Sequence, residues 1–144
     1  MASRPRKVFL DTSVLMAATI SARGSARDLV NRGFRGEYEL IISADVIEEC
    51  ARNLRAKAPE ALPLFVAFLT LLTHRAEPTT ERVAQAAATI EPKDAPIVAA
   101  AALVKADYLA SYDRRHLLAK RAEIEEAYGI VTATPDDILR ETQP

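Results

Sequence analysis

The chain has 144 residues, 49% of them apolar, which suits one domain with its own core and excludes a disordered segment. Its 19 basic and 20 acidic residues leave a net charge of −1, which argues against bulk-charge coating of nucleic acid but not against a local basic rim. The single cysteine, Cys50, excludes an intramolecular disulfide, fits a reducing cytoplasm, and with only two histidines argues against a structural zinc site.

The N-terminal segment MASRPRK is basic, but the apolar run VFL after it is interrupted at once by Asp11, too soon for a signal peptide. No uncharged apolar stretch is long enough to span a bilayer. KVFL (7–10) reads as a short buried strand, and TSVLMAATI (12–20) as the helix after it, with Asp11 as N-cap. Residues 22–25 read as a loop, 26–35 as a helix broken by Gly33 and Gly36, and YELIIS (38–43) as a second strand.

Ser43 then caps a helix running to about Ala56, with Val46, Ile47, Cys50 and Leu54 on its apolar face. Cys50 therefore reads as a small core residue rather than a nucleophile. Pro59 opens a further helix, with Leu62, Phe65, Val66, Leu69 and Leu72 at helical spacing. Residues 83–90 read as helix, and EPKDAP as a break that starts an alanine-rich helix reaching about Lys105. DYLAS (107–111) is a third strand, 114–129 is mostly helix closed by Gly129, and GIVTA (129–133) is a last strand. Thr134 or Pro135 opens the closing helix PDDILRE.

Strands alternating with helices imply an α/β fold with a mainly parallel sheet, whose ligand site lies beyond the carboxyl ends of the strands. Asp11 and Asp113 each follow a strand, so parallel strands would deliver both to that edge. Asp94 starts the alanine-rich helix, whose small side chains let it press close to the sheet. On the 44–56 helix, Glu49 lies nearer the apolar face than Glu48 by roughly 30°, so Glu49 is preferred as the inward acid while the choice stays open. Taken singly, each acid has an ordinary reading: a cap for Asp11 and Asp94, a solvated helix face for Glu49, a turn for Asp113. Taken together, four carboxylates in one cleft repel unless a cation neutralises them. Hard divalent ions want such oxygen ligands, and the combination suits cleavage of phosphate esters.

Four stretches carry the chemistry in order: VFLDTSVLMAA, ISADVIEEC, KDAPIVAAA and ADYLASYDRRHLL. In that order, each on the expected element, they resemble the PIN domains, and most of all a bacterial branch of toxin-type ribonucleases. The resemblance spans about residues 7–139 of a single 1–144 domain. It implies a three-layer α/β/α sandwich around a mainly parallel central sheet. It also implies a Mg²⁺- or Mn²⁺-dependent endoribonuclease, with Asp11, Glu49, Asp94 and Asp113 as catalytic acids and Asp11, Asp94 and Asp113 as metal ligands. Ser13 matches the family's frequent Ser/Thr and would orient Asp11 or a metal-bound water. Many such proteins are cytoplasmic toxins, homodimeric and silenced by a small antitoxin.

One position departs from the wider family: the residue two after the fourth acid is Arg115 rather than another acid, which weakens the case for a second metal. His116 either contacts a phosphate or a metal-bound water, or packs at a helix start. Arg23, Arg114 and Arg115 are the candidate phosphate-binding cations. No base-reading motif is visible, so no RNA target is named. A haloacid dehalogenase-like phosphatase would need a second acid where Ser13 stands, and a receiver domain would need paired acids before its first helix. The remaining rival is a PIN fold of weak catalytic power that serves as an interaction or regulatory module.

Overall fold

The computed structural model describes residues 4–74 and 77–143; the first three residues of the basic N-terminal segment lie outside that range. Its elements are β1 (Arg6–Leu10), α1 (Thr12–Ile20), α2 (Ser25–Phe34), β2 (Tyr38–Ile42), α3 (Ala44–Lys57), α4 (Leu62–Leu69) and β3 (Thr73–His74). They continue with α5 (Thr80–Ala87), α6 (Ala95–Leu103), β4 (Tyr108–Ala110), α7 (Arg121–Tyr128), β5 (Val131–Ala133) and α8 (Pro135–Glu141). The strands form one sheet in the order β3-β2-β1-β4-β5, and every pairing is parallel.

The chain steps from β1 to β2 to β3 in one direction, then crosses back to β4 and on to β5. Right-handed crossovers put the helices of the first half on one face of the sheet and those between β3 and β5 on the other, giving a three-layer α/β/α sandwich. A sheet covered on both faces needs strands that are apolar on both sides, and Val8, Phe9, Leu10, Ile41, Ile42, Leu109 and Ala110 are all fully buried.

Several elements differ from the sequence expectation. The strand β3 was not anticipated; it is two residues long and pairs only with Ile41 and Ile42, too short for any periodicity. Gly33 does not break α2, which runs through it. A Cβ there would lie 2.2 Å from Leu40 Cδ1, so the glycine is what lets α2 lie against β2. The segment after Ala58 starts with a 3-10 turn at Pro59–Ala61 before α4 begins. Of its apolar residues Phe65, Phe68 and Leu72 are buried, whereas Val66 is 59% exposed. Residues 114–117 form turns and Leu118–Lys120 a 3-10 turn, leaving only Arg121–Tyr128 as α-helix. The helix α5 starts earlier than expected because Thr79 caps it through Arg82 N–H, and α6 stops two residues short of Lys105. No helix among the described residues is long and apolar enough to cross a membrane.

Candidate metal centre

Strand register builds the site. Leu10 pairs with Ala110, and the Asp11 N–H donates to the Ala110 carbonyl at 3.0 Å, so Asp11 leaves the sheet beside Ser111. The peptide at Asp11 turns into α1, and its carbonyl accepts from Val14 and Leu15. Asp11 is 6% exposed. Its Oδ1 accepts from Thr12 N–H at 2.8 Å, and its Oδ2 accepts from Ser13 Oγ at 2.9 Å and Ser111 Oγ at 2.8 Å. Burial pushes the Asp11 carboxyl above the ordinary range; the Ser111, Ser13 and Thr12 hydrogen bonds pull it back, and the Asp113 charge adds to the rise.

Ser13 and Ser111 each do a second job. The Ser13 hydroxyl oxygen accepts from Tyr112 N–H at 3.1 Å, and that of Ser111 accepts from Asp113 N–H at 2.9 Å. The loop after β4 is thereby tied to the Asp11 carboxylate. Asp113 then closes its own turn: Oδ1 accepts from His116 N–H at 3.1 Å, and Oδ2 lies 3.4 Å from His116 Nδ1. Asp113 makes the turn read for it, and His116 sits within that turn rather than at a helix start; both side chains also line the cavity.

Asp94 arrives from the other half of the chain as N-cap of α6, yet it makes no side-chain capping bond. Pro96 stands at the second helical position without an N–H, and Ile97 N–H donates to the Asp94 carbonyl instead. The carboxylate is left over: it is nearly buried, and its Oδ2 has no hydrogen-bond partner. His116 Nδ1 stands 3.9 Å from that oxygen. Burial, and then the Asp113 charge, push the Asp94 carboxyl up.

Ligand atoms of Asp94, Asp113 and His116 all lie within 4.8 Å of one another. Two carboxylates and an imidazole around an unpartnered buried oxygen form a donor set that fits a divalent cation. Asp11 stands outside this triplet but lines the same cavity of about 530 Å³. Glu49 lines it too and Glu48 does not, although both are exposed. Arg115 lines it, whereas Arg23 and Arg114 are exposed elsewhere.

Several residues of this site went unread in the sequence, Met16 and Ile97 among them. Ser111 had a signal, since it ends a strand two residues before Asp113. Asn53 and Lys93 also line the cavity. Asn53 is one helical turn after Glu49, and Lys93 precedes Asp94, so both could have been found once those acids were fixed. Cys50 is fully buried, and its thiol is pushed up to about 12 by burial and then by the Glu49 charge, which leaves it a core residue.

No curated protein sequence matches the chain. Among solved structures, the crystal structure of PAE2754 from Pyrobaculum aerophilum is similar, with a TM-score of 0.68 at 19% identity over 94% of each chain. At that identity the likeness speaks for the fold. The PIN domain profile matches residues 7–115, about three quarters of the sequence. The chain therefore belongs to the PIN-domain family.

Proposed function

We propose that the protein is a Mg²⁺- or Mn²⁺-dependent endoribonuclease that hydrolyses RNA phosphodiester bonds. The observation that carries this reading is the buried, unpartnered Oδ2 of Asp94 beside Asp113 and His116. An oxygen in that position, already deprived of water, is costly to ionise unless a cation meets it. Asp94, Asp113 and His116 would hold the ion, with Asp11 adding negative charge from the same cavity. When bound, the ion would polarise a phosphoryl oxygen and acidify an attacking water.

The remaining steps belong to the chain. Ser13 and Ser111 hold Asp11 in one orientation, so its charge faces the cavity without reorganising. Glu49 makes no hydrogen bond among the described residues and is the carboxylate free to take a proton from the water. Arg115 and Lys93 put positive charge on the rim, where a phosphate must approach four acids.

We further propose that the protein serves as the toxin of a type II toxin–antitoxin pair in the cytoplasm, as a homodimer held silent by a small antitoxin protein. The order and wording of the four sequence motifs support this role. Calorimetric titration with Mn²⁺ and cleavage of labelled RNA, on wild type and Asp11→Asn, test the chemistry. Wild type should bind the ion and cut; Asp11→Asn should stay folded and lose cleavage, and with it any growth arrest on expression. Cleavage retained by Asp11→Asn, or a folded wild type that binds no divalent ion, would overturn the reading.

A further inference from the structure

The cavity is larger than an ion needs. Six waters at about 30 Å³ each around one ion take up roughly a third of its 530 Å³. The rest is lined by side chains one helical turn further along three helices. Met16 on α1 lies one turn past Thr12, Asn53 on α3 one turn past Glu49, and Ile97 on α6 one turn past Asp94. The helices are packed together there, since α3 touches both α1 and α6.

Asn53 is the unusual member. It sits inside a helix, where asparagine is a poor choice, half-buried, and its amide makes no hydrogen bond among the described residues. An amide presents one acceptor and two donors, the combination that pairs with a base edge. Met16 and Ile97 line the same cavity and give it apolar surface, which suits a ring better than a phosphate. The phosphate-seeking groups of the cavity, Lys93 and Arg115, are separate residues.

We propose that Asn53, with Met16 and Ile97 of the same cavity, forms a nucleobase subsite that selects which RNA sequence is cut. The subsite rests on the ribonuclease reading: the RNA base beside the scissile phosphate enters it and hydrogen-bonds the Asn53 amide, while the acids and the ion engage the phosphate. Asn53 is a specificity residue and holds no metal.

The test is cleavage of a randomised RNA pool in Mn²⁺ by wild type, Asn53→Ala and Asn53→Leu, with every product end sequenced. Mn²⁺ affinity of each protein is measured alongside by calorimetry. Leucine fills the same volume without the amide, which separates lost hydrogen bonding from lost packing. Wild type should show a base preference at one position near the cut, and both variants should flatten it by about tenfold or more with Mn²⁺ affinity unchanged. Identical preferences in all three proteins would overturn the subsite, as would a preference that changes only in step with weakened Mn²⁺ binding. A wild type that binds Mn²⁺ and cuts no RNA sinks the ribonuclease reading as well, and is distinguished by the absence of any product.

Discussion

Ser111 Oγ donates to Asp11 Oδ2 at 2.8 Å and accepts the Asp113 N–H at 2.9 Å, so one fully buried hydroxyl joins the first and last acids of the site. Removing it leaves a buried carboxylate with one donor fewer and a backbone N–H without a partner. Ser111→Ala should therefore cost about 1–3 kcal/mol. In a chain of this size that lowers the melting temperature by roughly 3–10 °C. Ser111→Thr keeps the hydroxyl and should recover most of the loss. A thermal melt in which alanine matches wild type would show that the bridge contributes nothing.

The Asp94 carboxyl titrates above its usual 3.8 because burial and Asp113 disfavour its charge. The unfolded chain then gives up this proton at lower pH than the folded one. Metal-free protein loses stability as pH rises from about the unfolded value through the raised folded one, and the penalty is absent below that window. Asp94→Asn removes the penalty. In chelator it should melt above wild type at neutral pH, and the gap should close near pH 3.5, measured as a difference between the two proteins.

Divalent ion reverses that order. At a hundred times its dissociation constant an ion that binds only the folded state adds about 2.7 kcal/mol. Wild type should gain roughly 5–10 °C with saturating Mn²⁺ and Asp94→Asn little. A wild type whose melting temperature ignores Mn²⁺ would argue against an ion at Asp94, Asp113 and His116.

Lys105, two residues past the end of α6, adopts the left-handed region, with φ of 55°. The Ala106 N–H reaches back to Ala101 and the Lys105 N–H to Ala102, each at 3.0 Å, a paired closure that glycine adopts without a Cβ clash. Lys105→Gly should stabilise by about 0.5–1 kcal/mol, read as a small rise in denaturation midpoint, and leave Mn²⁺ affinity unchanged. Gly33→Ala should do the opposite, since its Cβ would meet Leu40 side-chain atoms at 2.2 and 2.4 Å; about 1–3 kcal/mol of destabilisation is expected.

What could be read in the sequence was what periodicity and strand ends carry. The run through Leu10 predicts a strand buried on both faces, and a parallel sheet sends Asp11 and Asp113 to one edge; the Leu10–Ala110 register realises this. Local sequence carries less about partners chosen in three dimensions. Thr73 and His74 become a strand only because Ile41 and Ile42 offer an edge. Asp94 reads as a cap, and its release from capping follows from Pro96 two residues later, which the sequence does contain. His116 joins the acids because Asp113 turns the chain back on itself. Val66 keeps the helical spacing of a core residue yet is exposed.

The most direct measurement of the central claim is cleavage of a defined RNA by wild type and Asp94→Asn, in Mg²⁺, Mn²⁺ and chelator, with products mapped. Wild type should cut at discrete phosphodiesters with either ion and stop in chelator. Folded Asp94→Asn should be slower by about a hundredfold or more. Equal cleavage by the two proteins, or cleavage undiminished by chelator, would contradict a metal-dependent nuclease centred on Asp94.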